Sequence, residues 1–383
     1  MVFWLKNPNL EKLMHTLQDC MVVGGCVRNY LFCLENNLPF DKFLGEIDLA
    51  TSLLPEEVMQ LSKQAGFKVI PTGLQHGTVT CVMDKDVFEV TTLRVDLETD
   101  GRHATVAFSK SWEEDAKRRD LTINALYADI NGKIYDFVNG LDDLKTGSVR
   151  FIGDPNLRIQ EDYLRILRFF RFFAHYGKHY DEKSFEACRK HVTQLKHIAR
   201  ERCIAELLKL LDADNVVTAL KMMDEIDLWD YCDFPRVDLN VLQKAIQVAK
   251  NLGLHLSNIG KLSTFYGDFS KLKISNEQSK RITLLRNLKP MSQKSDYIKW
   301  INTVPKELWD DGIILKGTLG DISFLDQWKQ NLFYFSGTDV MSIMGIETGP
   351  RVKFYLDKLL DQFCESETPS SHQELADFLN TLK

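Results

Sequence analysis

The sequence predicts an α+β fold, in which an N-terminal sheet domain is followed by helical domains. Short apolar segments with a two-residue period, separated by turn-forming residues, recur between about residues 21 and 138 and indicate strands. From Ile159 onward the apolar residues recur at three- and four-residue steps, as helices require. The 383 residues exceed what one core usually organises, so we expect about two to four structural units.

The first elements follow from apolar runs and breakers. Residues 1–20 have a helical pattern without the small-residue cleavage site of a secretory signal. Residues 21–23 predict a strand, Gly24-Gly25 interrupts it, and residues 27–32 begin a helix. Residues 47–50 predict a second strand.

The remaining elements of the sheet domain follow in order. Pro55 opens a helix that we expect to end near Ala65, because proline is favoured in the first turn. Residues 78–83 and 87–93 alternate like paired strands joined by a turn. The polar segment 95–111 predicts a mobile loop. Residues 115–127 then predict a helix, and 133–138 a last strand.

Composition narrows the class of protein. The net charge of −6 gives no global support for nucleic-acid binding. However, residues 151–205 hold 11 Lys/Arg against 7 Asp/Glu, so this segment is locally basic, which is equally typical of a solvated surface. No apolar run approaches the roughly 20 residues of a membrane span. The 8 cysteines form no CxxC pair, which argues against zinc and disulfides and favours the cytoplasm, with an organelle matrix as the alternative.

Two acidic residues, Glu46 and Asp48, form the first candidate catalytic motif. Residues two apart on a strand share a face, so both carboxylates could bind hard cations such as Mg²⁺. Paired metal ions would activate an attacking hydroxyl and neutralise a leaving pyrophosphate. The alternative is a pair of acids on a solvent-facing strand.

A glycine pair forms the second motif. Gly24 and Gly25 lie between a strand and a helix start, where backbone N–H groups can approach an anion. Arg28 could then bind phosphate oxygens through two parallel hydrogen bonds. An ordinary tight turn would explain the same residues.

The third motif is a run of cations. Lys117, Arg118 and Arg119 could bind phosphate and ribose, while Asp120 orients an arginine or the sugar; Asn124 follows in the same stretch. The alternative is a charged first turn of a helix that is stabilised by surface ion pairs.

The fourth motif is Asp162 and Arg165, which are three residues apart and therefore predicted to be neighbours on a helix. A carboxylate accepts and a guanidinium donates hydrogen bonds, and cytosine and adenine both offer an amino donor beside a ring-nitrogen acceptor. Uracil and guanine place a carbonyl where that amino group would be, so such a pair could select C and A. A helix ion pair is the alternative use of these residues.

The order of these motifs resembles that of the class II tRNA nucleotidyltransferases, the CCA-adding enzymes, to which bacterial poly(A) polymerases are closely similar. The resemblance covers residues 21 to about 211 nearly continuously and is looser near the C-terminus. The matching stretches are GGCVRN, EIDLATS, HGTVT, FEVTTLR, DGRHATV, KRRDLTINAL, YDFVNGLDDLKTGSVRFIGDP, RIQEDYLRILRFFRF, ERCIAELLKLL and, more loosely, GIETGPRVKFYLDKLL.

The resemblance implies a division of the chain and roles for its residues. The head would span residues 1–150, the neck 151–211, the body 212–290 and the tRNA-binding tail 291–383. The implied metal ligands and catalytic residues are Glu46 and Asp48, with Mg²⁺ as the cofactor. The implied nucleotide-binding residues are Gly24, Gly25, Arg28, Arg118, Arg119, Asp120, Asn124, Asp162, Arg165 and Arg168, with Glu161 supporting the base-reading pair. The implied flexible loop, used when the enzyme changes from CTP to ATP, contains Arg94, Asp96, Arg102 and His103.

Two departures from the family pattern keep alternatives open. The family usually has Asp at both metal positions, whereas this chain has Glu46, and its GGxVRD motif ends in Asp where this chain has Asn29. The sequence therefore predicts CCA addition to the tRNA 3′ end from CTP and ATP. The alternatives are a poly(A) polymerase or A-adding enzyme and a catalytically weakened tRNA-binding protein. The oligomeric state does not follow from the sequence.

Overall fold

The computed structural model describes residues 7–39, 47–100 and 103–383. The chain divides into two compact units, Met1–Phe234 and Pro235–Lys383. The sheet lies in the first unit and the second is mainly helical, so the predicted α+β class is confirmed. The finer division into head, neck, body and tail stays a prediction.

A mixed sheet organises the first unit. Its seven strands among the described residues are β1 (Cys20–Val23), β2 (Ile47–Thr51), β3 (Lys68–Gly73), β4 (Thr78–Met83), β5 (Asp86–Thr92), β8 (Leu126–Ala128) and β9 (Ile134–Asp136). They pair in the order β3-β4-β5-β2-β1-β8-β9. The β2–β5 pair is parallel, and the other neighbours are antiparallel. The predicted strands at 21–23, 47–50, 78–83, 87–93 and 133–138 are thereby confirmed.

Apolar side chains of the sheet and its helices form the core of this unit. One buried cluster joins the strands to the segment after them through Val23, Ala50, Leu93, Tyr127 and Ile152. The helices of the first unit are α1 (Pro8–Leu17), α2 (Gly25–Glu35), α3 (Pro55–Gln64), α4 (Trp112–Lys117), α5 (Gly140–Thr146), α6 (Pro155–Glu161), α7 (Arg165–Tyr176), α8 (Glu182–His191), α9 (Arg200–Leu211), α10 (Val216–Asp224) and α11 (Leu228–Cys232).

The prediction of a loop at 95–111 was wrong for most of this segment. The structure has an antiparallel hairpin there, formed by β6 (Arg94–Asp100) and β7 (His103–Phe108). Apolar residues alternate with polar ones along both arms, for example Val95 and Leu97, and this period favours strands despite the polar composition.

The predicted helix at 115–127 is much shorter in the structure. Helix α4 ends at Lys117, a single 3₁₀ turn covers Thr122–Asn124, and β8 follows directly. Strand β8 pairs with β1, and its three residues are fully buried. Tertiary pairing therefore overrides the local helical pattern in this segment.

The second unit is built from short helices around its own cores. Trp328, Tyr297 and Phe363 are among its fully buried side chains. Short strands β12 (Arg236–Val237) and β13 (Phe265–Tyr266) pair within it, and in the first unit β10 (Ser148–Val149) pairs with β11 (His179–Tyr180). The helices are α12 (Leu239–Leu252), α13 (Asn258–Ser263), α14 (Asn276–Asn287), α15 (Lys294–Thr303), α16 (Trp309–Lys316), α17 (Leu325–Gln330), α18 (Gly337–Met344), α19 (Pro350–Glu365) and α20 (His372–Asn380).

Two further features concern the whole described chain. None of its helices in the described ranges combines the length and apolar character of a membrane span. All 8 cysteines are free thiols and all are buried.

Candidate functional site

A cavity of about 660 Å³ in the first unit brings the sequence motifs together. Of the residues predicted from the sequence, it is lined by Gly24, Gly25, Arg28, Asp48, Arg118, Arg119, Asp120, Asn124, Asp162, Arg165 and Arg168. Asn29, Leu164, Arg171, Phe172, Arg202 and Lys209 also line it. Glu46 lies outside the described residues, so its predicted place beside Asp48 is not observed.

The sheet register explains why the glycine pair and Asp48 share this cavity. Strands β1 and β2 pair so that Val23, immediately before Gly24, lies opposite Asp48. Gly24 has φ +71, a conformation that side chains disfavour, and it lets the chain turn from β1 into α2. The first turn of α2 therefore begins at the cavity wall, where its N–H groups and dipole favour an anion.

A buried carboxylate behind the cavity fixes two of its arginines. Asp115 is 1% exposed and accepts hydrogen bonds from Arg118 Nε at 2.8 Å and Arg119 Nη2 at 2.9 Å. The Tyr127 hydroxyl donates to the same carboxylate at 2.8 Å. Burial opposes ionisation of Asp115, but the charges of Arg119 and Arg118 and this hydroxyl outweigh it and lower its pKa to about 2. Both guanidinium groups are thus preorganised at the wall.

A second buried network joins the third motif to Arg168 of α7 and to Arg28 of the second motif. Asp120 Oδ2 accepts hydrogen bonds from Arg168 Nε at 2.6 Å, and Asp120 Oδ1 accepts from Asn124 Nδ2 at 3.0 Å. Asn124 in turn accepts a hydrogen bond from Arg28 Nη1 through its Oδ1. Burial opposes ionisation of Asp120, but Arg168 and these hydrogen bonds hold its pKa well below the ordinary value.

The prediction that Asp162 and Arg165 are neighbours on one helix was wrong. Helix α6 ends at Glu161, Asp162 has extended backbone angles (φ −156, ψ 107), and Arg165 is the first residue of α7. The Asp162 side chain causes this break, because its Oδ1 accepts a hydrogen bond from the Leu164 N–H at 3.1 Å.

The side chains of Asp162 and Arg165 also form hydrogen bonds with other described residues and not with each other. Asp162 Oδ2 accepts a hydrogen bond from Arg202 Nη2 at 2.6 Å. Arg165 Nη1 donates to the Arg158 carbonyl at 2.9 Å and to Glu161 Oε2. Asp162 and Arg165 therefore face the same cavity from separate positions, each held by a different group.

Sequence reasoning missed the cavity residues on α9 and the later part of α7. Arg202 and Lys209 are seven residues apart on α9, which places them on one helix face, and Glu206 lies between them. Arg171 Nη1 pairs with Glu206 Oε2 at 3.1 Å. Burial lowers the pKa of Arg171 to about 10, so it remains charged at neutral pH. The helical spacing of these charged residues was the available signal.

The described part of the cavity wall is positive overall. Its described lining includes eight Lys or Arg and three Asp side chains. Asp115, Glu161 and Glu206 pair with lining arginines from behind, which leaves eight cations against six carboxylates. An excess of positive charge in a partly buried site favours a polyanion such as a triphosphate.

The acidic residues fit a hard cation only in part. Asp48 is a lining carboxylate, and Glu89 lies next to it in the parallel register of β2 and β5. Burial and the charge of Asp48 raise the pKa of Cys26 to about 12, so this thiol is protonated at neutral pH. Within the described ranges, no cluster of three or more His, Cys, Asp or Glu could hold a metal ion alone. Mg²⁺ usually combines one or two carboxylates with substrate phosphates, which agrees with this set.

Three of the four predicted flexible-loop residues lie in β6 and β7. Arg94 begins β6 and donates a hydrogen bond to the His76 carbonyl. Asp96 and His103 belong to the hairpin strands, whereas Arg102 lies outside the described residues.

Comparison with known proteins agrees with this arrangement. Residues 20–150 match the family model of the Poly A polymerase head domain. Residues 179–237 match the model described as the probable RNA and SrmB-binding site of polymerase A. The chain is 33% identical to the mitochondrial CCA tRNA nucleotidyltransferase 1 of Danio rerio, over 94% of this chain and 87% of the relative. It is 31% identical to the CCA-adding enzyme of Staphylococcus saprophyticus, over 86% of this chain and 79% of the relative.

Solved structures give the same result. The Bacillus stearothermophilus CCA-adding enzyme in complex with CTP matches with a TM-score of 0.64 and 25% identity, over 98% of each chain. The Thermotoga maritima enzyme complexed with tRNA matches in fold, with a TM-score of 0.65 and 19% identity, over 100% of this chain and 98% of the other. Since a relative above 30% identity matches along nearly the whole length, this chain belongs to the class II tRNA nucleotidyltransferases, the metal-dependent CCA-adding enzymes of the poly(A) polymerase superfamily.

Proposed function

We propose that this chain adds C, C and A in turn to the 3′ end of tRNA, using CTP and ATP and releasing pyrophosphate at each addition, in the cavity lined by Asp48 and Asp162. The observation that carries the proposal is the single cavity in which a strand carboxylate, a helix N-terminus, several arginines and Asp162 meet. The relatives named CCA-adding enzymes support this product over poly(A).

In each addition the primer 3′-hydroxyl oxygen forms a bond to the α-phosphorus, and the bond from that phosphorus to the pyrophosphate oxygen breaks. The hydroxyl proton leaves to solvent or to a nearby carboxylate, and the electron pair leaves with pyrophosphate. Arg28, Arg118 and Arg119 offset the charge of the triphosphate. Asp115 holds two of these groups in place, so little reorganisation is needed during reaction.

Asp162 is proposed to read the incoming base. Two of its roughly four lone-pair sites are used by Leu164 and Arg202, which leaves acceptor capacity for an exocyclic amino group. Cytosine and adenine carry that donor, whereas uracil and guanine present a carbonyl that would oppose the carboxylate. Arg165 is proposed as the donor beside it, Arg202 orients Asp162, and Arg168 supports the site through Asp120.

Mg²⁺ is the proposed metal, with Asp48 and Glu46 as its protein ligands. When bound, it would polarise the α-phosphate and offset charge on the leaving pyrophosphate. The position of Asp48 in the lining and the preference of Mg²⁺ for carboxylate and phosphate oxygens support this choice.

Three further parts of the proposal concern the domains, the β6–β7 hairpin and the cellular compartment. We propose that residues 1–150, 151–211, 212–290 and 291–383 act as head, neck, body and tail, with tRNA held by the tail. The β6–β7 hairpin is the proposed element for the change from CTP to ATP. The chain is proposed to work in the cytoplasm or, like the relative named mitochondrial, in an organelle.

The decisive test is incorporation on a tRNA that lacks its CCA end. With CTP, ATP and Mg²⁺ we expect products longer by three nucleotides, and with CTP alone products longer by two. A product ladder of many A residues would instead identify a poly(A) polymerase. Failure with both Mg²⁺ and Mn²⁺ would reject catalysis, and tRNA binding with activity restored by Glu46→Asp would identify a weakened enzyme.

A further inference from the structure

The guanidinium group of Arg28 lies among neutral partners. Arg28 is 7% exposed, and its Nε and Nη2 donate hydrogen bonds to Asn29 Oδ1 at 3.2 and 2.9 Å. Its Nη1 donates to Asn124 Oδ1, which is also an amide oxygen. These acceptors fix the plane of the guanidinium without offsetting its charge.

Two aromatic rings complete this environment. The Arg28 guanidinium carbon lies 4.8 Å from the ring centre of Phe172 and 4.5 Å from that of Tyr176. The Tyr176 hydroxyl donates to Asn29 Oδ1 at 2.7 Å, and its ring packs edge-on against Phe32 at 5.0 Å. Tyr176 therefore touches Arg28 directly and also fixes the amide that orients Arg28.

The other arginines that line the cavity are held differently. Each of the six forms an ion pair with a carboxylate, whereas within the described ranges no ion pair involves Arg28. The pairs are Arg118 and Arg119 with Asp115, Arg165 with Glu161, Arg168 with Asp120, Arg171 with Glu206, and Arg202 with Asp162. Among the described residues, Arg28 is thus the lining arginine whose charge is least offset by a carboxylate.

We propose that Asn29 and Tyr176 are positioning residues that hold Arg28 as an uncompensated cation for the triphosphate of the incoming nucleotide. The inference rests on the proposed function for the identity of the ligand. In the GGxVRD pattern an aspartate would occupy position 29 and pair with the arginine. Here the amide keeps the hydrogen-bond geometry and leaves the positive charge for the substrate.

The proposal predicts how one added charge changes nucleotide binding. Asn29→Asp keeps the shape of the side chain and its acceptor role but adds a negative charge beside Arg28. A unit charge about 6 Å from a phosphate, at an effective dielectric constant of about 40, corresponds to roughly tenfold weaker binding. The new carboxylate should form an ion pair with Arg28, so the thermal stability should not fall.

The experiment measures CTP binding by calorimetry without primer, at several NaCl concentrations, together with KM, kcat and Tm. For Asn29→Asp we expect a five- to tenfold higher Kd and KM, a shallower salt dependence of Kd, and an unchanged or higher Tm. Tyr176→Phe retains the ring and loses only the hydroxyl, so Kd should rise two- to threefold with an unchanged salt dependence. In the Asn29→Asp background the same tyrosine change should have a smaller effect, because a carboxylate holds Arg28 by charge.

Asn37→Asp is the matched control, because it adds the same charge at an exposed residue beyond the far end of α2. It should leave Kd within twofold of the parent. Tighter or equal CTP binding by Asn29→Asp, or weaker binding accompanied by a lower Tm, would overturn the proposal. Because CTP binding is read without incorporation, a parent that binds CTP but adds nothing to tRNA would reject the proposed function and leave this test intact.

Discussion

Removing the Asp162 carboxylate tests whether the protein itself selects the base. In the structure this carboxylate accepts from Leu164 N–H and Arg202, and its side chain remains 19% exposed. A hydrogen bond to a charged group contributes about 1.5–3 kcal/mol, which corresponds to roughly a 10- to 150-fold change in rate. For Asp162→Ala we therefore expect kcat/KM for CTP and ATP to fall by that factor.

Discrimination should fall as well, because the alanine no longer opposes a carbonyl on uracil or guanine. The assay is single-nucleotide incorporation on tRNA lacking CCA, with each of the four triphosphates, reported as the CTP-to-UTP ratio of kcat/KM. Asp162→Asn offers an amide donor to a carbonyl and should raise the relative use of UTP further. Arg189→Gln, which removes a half-exposed ion pair with Glu186, is the control. An unchanged CTP-to-UTP ratio in Asp162→Ala, or an equal loss with all four nucleotides, would refute the reasoning.

The remaining predictions concern acid stability, metal use and packing. The pKa of Asp115, lowered from 3.8 to about 2, corresponds to a contribution of about 2 kcal/mol that is complete above about pH 4 and is lost as the pH falls through 2. Urea unfolding of the parent and Asp115→Asn should therefore differ less at pH 2.5 than at pH 7, and a constant difference would contradict this. Asp48→Asn should lower incorporation by at least about 100-fold at any Mg²⁺ concentration, and full activity at saturating Mg²⁺ would show that it is not a ligand. In Gly140→Ala the new Cβ would lie 2.2 Å from the Thr122 carbonyl oxygen, so we expect a loss of about 1–3 kcal/mol in unfolding free energy, whereas Gly320→Ala, which meets nothing within 4 Å, should unfold like the parent.

Local sequence patterns were sufficient to predict much of the fold and many of the charged residues that line the cavity. Alternation predicted β4 and β5, and the breaker at Gly24 predicted the junction of β1 and α2, because both depend on neighbours along the chain. The position of Asp48 followed from the strand period. These features need no knowledge of distant contacts.

Other features depended on contacts that a local pattern does not contain. The break at Asp162 arises from a hydrogen bond to Leu164 N–H within an otherwise helical sequence. The partner of Asp162, Arg202, lies 40 residues away, and only the packing of α7 against α9 brings it there. Strand β8 was missed because its pairing with β1 spans about a hundred residues.

The burial of all the native thiols has a practical consequence for spectroscopy. A cysteine introduced at an exposed position of either compact unit would be the preferred target of a maleimide dye, without prior removal of the natural ones. Fluorophore pairs placed in this way could report the distance between the units with and without tRNA. The chain therefore needs no cysteine-free background for single-molecule measurement of its motions.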